Sequence, residues 1–201
     1  MDELIKIIIL GIVQGVAEFL PISSNAHLIM TEQLLNYHNH NEILNLVFHL
    51  GSLLAIITYF FSELLGLLKK TKMIFNIITA TIPVIIVGYF VHKFRLINYE
   101  YFSIKIIALT LIIFGIILFI SDKINPSKTL YKDLNLKSSL VIGLFQIISL
   151  IPGVSRSGIT LTAGRFLGYS RFEAAKFSFF LSDRKSTRLN SSHLVISYAV
   201  F

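Results

Sequence analysis

Met73-Ile-Phe-Asn-Ile-Ile-Thr-Ala-Thr-Ile-Pro-Val-Ile-Ile-Val-Gly-Tyr-Phe-Val91 contains no Asp, Glu, Lys, Arg or His. As a helix, a run of about 18–20 apolar residues is long enough to cross the hydrocarbon core of a bilayer. Comparable blocks lie on either side of it. Residues 43–62 carry only His49 as an ionisable group, and residues 106–121 are flanked by Lys105 and Asp122. Two shorter blocks, 7–22 and 138–151, are marginal for a full crossing. Segments of that length fit re-entrant or broken helices, which survive at membrane depth only where they line a cavity. The pattern predicts an all-α, polytopic membrane helix bundle.

Composition agrees. Of 201 residues, 54% are hydrophobic and 14% charged, with a mean hydropathy of +0.74. Soluble domains sit nearer ~25% charged. The net charge of +7 is concentrated in loops between apolar blocks, which reads as membrane topology and not as a nucleic-acid-binding stripe. Lys69, Lys70 and Lys72 follow one block, and Lys123, Lys128, Lys132 and Lys137 follow another. The positive-inside rule places both loops in the cytoplasm. The absence of Cys excludes disulfides, thiolate metal sites and a Cys nucleophile. A cleavable signal peptide over residues 1–27 is disfavoured, because Gln14 and Glu18 interrupt the apolar region it needs.

The polar residues inside the short blocks carry the chemistry. The first set is Gln14-Gly-Val-Ala-Glu18-Phe-Leu-Pro-Ile-Ser-Ser24-Asn-Ala-His27. The second is Gln146-Ile-Ile-Ser149-Leu-Ile-Pro152-Gly-Val-Ser155-Arg156-Ser157-Gly158-Ile-Thr160. A carboxylate or a guanidinium in membrane-buried sequence costs roughly 2.5–3.5 kcal/mol on insertion scales, so such groups are functional by default. Gln14 and Glu18 share a helix face and could hold a hard divalent cation or poise a general base. Pro21 ends that helix. Ser23, Ser24 and His27 follow, and a hydroxyl, an imidazole and a carboxylate are the parts of an activated nucleophile. In the second set the glycines free backbone N–H groups to face an anion, and a helix beginning near Ile159 adds its dipole. Arg156 can grip phosphate oxygens in a bidentate fork. The Gly-Lys-Ser/Thr ending of a nucleotide P-loop is absent.

The two sets also resemble each other. Gly11-Ile-Val-Gln14 corresponds to Gly143-Leu-Phe-Gln146. Pro21 corresponds to Pro152 and Ser24 to Ser155, if one residue is deleted between. An internal repeat with a site at its interface is a common plan among membrane transporters. His49 reads as a packing residue, His38 and His40 as loop surface, and Arg165 and Arg171 as interfacial.

Taken together, Gln14-x-x-x-Glu18, Phe-Leu-Pro-Ile-Ser-Ser24-x-x-His27 and Pro-Gly-Val-Ser-Arg156-Ser-Gly resemble the undecaprenyl-diphosphatase (bacitracin-resistance) family over residues 1 to about 182. The resemblance implies a bacterial inner-membrane, multi-pass enzyme of interlocked inverted repeats with re-entrant helices. It implies hydrolysis of undecaprenyl diphosphate to undecaprenyl phosphate and inorganic phosphate, recycling the lipid carrier of peptidoglycan synthesis. By position, Glu18, Ser24, His27 and Arg156 match its catalytic set. Gln14, Ser155, Ser157, Gly158 and Thr160 fall to substrate binding, and Glu18 with Gln14 to a divalent cation, Mg2+ or Ca2+. Gln14 stands at the first position of the acidic motif, which the family tolerates. The implied partners are the polyprenyl diphosphate lipid and the bilayer, with no nucleic acid; a homodimer stays open.

Two alternatives compete. A polyprenyl-phosphate or anion transporter would need Arg156 but not Glu18, Ser24 and His27. A phosphatidic-acid-type phosphatase needs a His soon after its Ser-Arg pair, and no His occurs between His92 and His193. The tail breaks the family pattern. From Phe177 the apolar run is short and meets Asp183, Arg184, Lys185 and Arg188. Residues 184–201 resemble a translated sequencing-adapter remnant. The expected organisation is a membrane-embedded domain over 1–182, C-terminally truncated, followed by a foreign tail over 183–201 in which His193 is no site residue.

Overall fold

The computed structural model describes residues 2–37, 42–59, 61, 65–66, 70–96 and 103–188. The expectations for His38, His40, Lys69 and residues 189–201 lie outside the described residues. The helices are α1 (Glu3–Phe19), α2 (Ser24–Leu34), α3 (Glu42–Tyr59), α4 (Thr71–Lys93), α5 (Ile104–Asp122), a single turn α6 (Leu130–Asp133), α7 (Leu136–Ile147), α8 (Arg156–Phe166) and α9 (Arg171–Arg188). A 3-10 turn, Ile148–Leu150, extends α7. Among the described residues there is no strand, only an isolated bridge between Lys128 and Tyr169. The expected all-α bundle therefore forms. Helix α9 continues through residues 183–188, past the boundary the sequence suggested.

Helices α4 and α5 are long and apolar enough to cross a membrane, with mean hydropathies of 2.2 and 2.7. At 1.5 Å per residue they measure roughly 34 and 28 Å, close to the hydrocarbon thickness. Neither is the core helix of a soluble protein, since only 33% and 11% of their apolar windows are buried. Each buries one stripe at helical spacing. In α4 it runs through Met73, Ile77, Ala80, Val84 and Gly88. In α5 the stripe runs from buried Ile107 through half-buried Thr110 and Phe114 to buried Ser121. The opposite faces present Ile82, Ile86, Ile112, Ile116 and Phe119 outward. A wholly apolar outer face is what hydrocarbon solvates.

Small residues set the closest approaches. A Cβ on Gly143 of α7 would stand 2.4 Å from the Ala80 carbonyl oxygen of α4, and one on Gly164 of α8 would stand 2.9 Å from the Ala174 Cβ of α9. Without a hydrophobic drive between helices in lipid, such backbone contact supplies the van der Waals attraction that holds them. The core then fills around Met73, Ile77, Ile142, Ala163, Phe177 and Leu181.

The internal repeat is real in the backbone, and its register differs from the expected one. Ser23, not Ser24, caps α2, its Oγ accepting from Ala26 N; Ser155 caps α8, its Oγ accepting from Gly158 N. Both helices have 11 residues. Both end in a Schellman turn. Asn36 (φ 47°) and Gly168 (φ 89°) occupy the left-handed position. Tyr37 N donates to Glu32 O and Tyr169 N to Gly164 O across the end of the helix. One offset, 132 positions, relates Gln14 to Gln146, Ser23 to Ser155 and Asn36 to Gly168. No deletion is needed. In this register Ser24 pairs with Arg156, each the first residue of its helix.

Candidate active site

Gln14 is fully buried on α1 and donates from Nε2 to Glu18 Oε2 at 3.0 Å. A carboxylate only accepts, so this bond fixes which way the amide faces. Gln14 Oε1 is thereby turned inward, buried and without a hydrogen-bond partner. Gln146, its repeat mate, is likewise 1% exposed with an unpartnered Oε1. The sequence places Gln146 at the head of the second motif and assigns it no role.

The chain leaves α1 at Leu20, turns through Pro21 and re-enters helix at Ser24. With Ser23 acting as the cap, the Ser24 hydroxyl is released from that duty. His27 lies one turn further on the same face. Its Nδ1 stands 2.7 Å from the Ser23 carbonyl oxygen. A carbonyl cannot donate, so Nδ1 carries a proton, and in the neutral imidazole the lone pair lies on Nε2. That is the tautomer a general base requires.

The second motif begins with Gly153 at φ +90°, where a side chain would be strained. Helix α8 starts at Arg156, three residues earlier than the sequence suggested. The Ser155 cap explains the difference, because it satisfies Gly158 N at 3.1 Å and also sits 3.0 Å from Ser157 Oγ. Gly158 is therefore a helical residue. Its lack of a side chain serves close approach: a Cβ there would lie 2.8 Å from Pro21 O. The α1–α2 turn and the first turn of α8 are thus in direct contact. The Glu18 carboxylate acts electrostatically on Arg156, a half-buried residue, across this junction.

Other residues support the site from outside. Thr160 is buried, and its hydroxyl lies 2.9 Å from Arg156 O and 2.6 Å from Ser178 Oγ of α9. Arg165, expected at the interface, is instead 3% exposed. It donates to the carbonyl oxygens of Tyr169, Asp122 and Ile124 and lies 3.3 Å from the Asp122 carboxylate. This ties the end of α8 to the end of α5. Arg171 is exposed and pairs with Asp122 through two hydrogen bonds. His49 packs as expected, half-buried with Nδ1 on Asn45 O.

A bundle with lipid-facing helices, in which the Pro21 turn meets the first turn of α8 and Glu18 acts electrostatically on Arg156, defines a membrane protein with a polar junction suited to an anion. The pattern of the family described as "Bacitracin resistance protein BacA" matches residues 7–185, and the chain belongs to that family. It is 48% identical to the undecaprenyl-diphosphatase of Pelagibacter ubique (strain HTCC1062) over 181 residues, covering 90% of this chain and 71% of that protein. It is 41% identical to the undecaprenyl-diphosphatase of Campylobacter curvus (strain 525.92), covering 90% and 72%. The undecaprenyl-diphosphatase of Thermodesulfovibrio yellowstonii (strain ATCC 51303 / DSM 11347 / YP87) is 43% identical to it, covering 90% and 70%.

Proposed function

We propose that this chain is a multi-pass enzyme of the bacterial inner membrane that hydrolyses undecaprenyl diphosphate to undecaprenyl phosphate and inorganic phosphate. The observation that carries the reading is the contact between Gly158 and Pro21. It sets the turn between Glu18 and Ser24 against the helix that Arg156 begins, which supports a shared site. In the reaction, Arg156 holds the diphosphate, assisted by the Ser155 and Ser157 hydroxyls and the amino-terminal dipole of α8. His27 Nε2 accepts the proton of the attacking oxygen, which is the Ser24 hydroxyl or a water. A new P–O bond forms at the terminal phosphorus, and the bridging P–O bond breaks. Undecaprenyl phosphate leaves with the electron pair, and a Ser24 adduct is then released by water. Arg156 stabilises the charge that develops on the phosphoryl oxygens. Gly158 and Thr160 act by bringing elements together, and the substrate-side role passes to the residues around them.

Glu18 offers carboxylate oxygens to a hard divalent cation, Mg2+ or Ca2+, and Gln14 would join it only with its amide turned over, since Nε2 now faces Glu18 and Oε1 points inward. Among the described residues no three His, Asp or Glu side chains gather to hold a metal. Phosphate oxygens and water would complete the coordination, as is usual for Mg2+. Such a cation supplies charge neutralisation for the substrate.

The test is phosphate release from undecaprenyl diphosphate by detergent-purified protein, with and without EDTA. Release that EDTA suppresses, that Arg156→Ala abolishes and that Gln14→Glu retains is the expected result. Folded wild-type protein that releases no phosphate, or an active Arg156→Ala variant, would refute the assignment.

A further inference from the structure

We propose that Thr110, on the lipid-facing helix α5, is a positioning residue for the hydrolysis inferred above, clamping the Pro152–Gly153 turn so that Arg156 stands where the diphosphate needs it. This role rests on the hydrolase reading. Thr110 is the polar residue of the inward α5 stripe that lies against the second motif. Its Oγ1 lies 3.0 Å from the Pro152 carbonyl oxygen and 2.8 Å from the Ile107 carbonyl oxygen of its own helix. Both are acceptors, so the one hydroxyl proton is shared between them. The bond to Ile107 alone would be the ordinary back-bond of a helical threonine. The bond to Pro152 reaches 42 residues along the chain and connects two separate elements.

A second observation shows how tightly they meet. A Cβ on Gly153 would fall 2.2 Å from Thr110 Oγ1 and 3.0 Å from Ile107 O. The turn is pressed against α5 with nothing between. Gly153 also holds φ +90°, a conformation that only glycine adopts freely. Thr110 therefore grips the turn at the one point where its backbone reverses, three residues before Arg156. At membrane depth water is scarce, and an unpaired carbonyl costs free energy. The Thr110 hydroxyl is a donor that α5 can offer Pro152, since its neighbours on the inward stripe, Ile107 and Phe114, have no side-chain donor. The far end of α8 is fixed to α5 separately, through Arg165 and Asp122. Losing Thr110 would free the Arg156 end while the other stays anchored.

Thr110→Val keeps the shape and removes the donor; Thr110→Ser keeps the donor. Phosphate release, amide hydrogen exchange and thermal midpoint should be measured on all three proteins in the same detergent. Thr110→Val is expected to lose about tenfold in kcat/KM, given that a displacement near 1 Å can cost about a hundredfold. Its amide exchange should quicken over residues 153–157 alone. Thr110→Ser should stay within about twofold of wild type, on the measure of one retained hydrogen bond. A fully active Thr110→Val, a Thr110→Ser as defective as Thr110→Val, or faster exchange across the whole chain would each overturn the clamp. Wild-type protein that releases no phosphate would overturn the hydrolase reading and this role with it; active wild type beside an equally active Thr110→Val overturns the clamp alone.

Discussion

Gly158→Ala is the substitution that separates geometry from stability most sharply. The added Cβ would sit 2.8 Å from Pro21 O. Ordinary contact to carbon begins near 3.5 Å, so the first turn of α8 must withdraw from the α1–α2 turn by about 0.7 Å. Overpacking of this kind costs about 1–3 kcal/mol. Replacing glycine by alanine within a helix returns roughly 0.5–1 kcal/mol through backbone entropy. The net loss of stability is therefore about 0–2.5 kcal/mol. Activity should respond far more. Arg156 lies two residues before Gly158, and Glu18, Ser24 and His27 lie on the other side of the contact. Misplacement by 1 Å can cost about a hundredfold in rate, so 0.7 Å should lower kcat by at least about tenfold. Steady-state phosphate release and the thermal midpoint should be read on the same preparation. A variant whose kcat stays within about twofold of wild type would refute the claim that this contact aligns the two half-sites.

Two further substitutions test the frame. Arg165→Met removes the donor shared by three carbonyl oxygens and leaves Asp122 with only its exposed partner Arg171. Leaving those carbonyl oxygens without their buried donor should cost about 1–3 kcal/mol or more. An unchanged thermal midpoint in detergent would show that the node is not a structural anchor. Gly143→Val places a side chain where even a Cβ meets the Ala80 carbonyl oxygen at 2.4 Å. The α4–α7 contact should be forced apart at a cost of about 3 kcal/mol or more, read as lost monodisperse protein on size exclusion; full recovery of folded protein would contradict the packing.

The spans were legible in the sequence because hydrocarbon imposes a length and a composition that few other environments demand. Blocks 73–91 and 106–121 reappear inside α4 and α5 with only a few residues added at each end. The two motifs were legible because charge is expensive at that depth. What escaped were choices between adjacent equals. Ser23 and Ser24 are chemically identical, and only the backbone decides which one caps. The same difficulty moved the start of α8 to Arg156, since a capping serine and the arginine behind it read in sequence as one loop. Arg165 looked interfacial because its partners are mostly backbone carbonyls, which no residue type announces. Gly158 looked like a flexible loop glycine, and its actual role depends on Pro21, distant in sequence.

The single offset between the halves explains why the site has one chemistry rather than two copies of it. At the shared register Glu18 faces Leu150, Ser24 faces Arg156 and His27 faces Ile159. Leu150 and Ile159 are buried, 7% and 3% exposed, and complete the apolar packing of the second half. A second Glu at position 150 would place another carboxylate beside a diphosphate, and like charges in a low-dielectric pocket repel strongly. Arginine in place of the second serine supplies the opposite charge at the start of α8, where the helix dipole already favours an anion. The retained features are the ones a folded turn needs in either half: the buried Gln, the capping Ser and the left-handed helix end. On the proposed mechanism, the repeat has kept its backbone and divided its reactive groups, with proton transfer assigned to the first half and phosphate binding to the second.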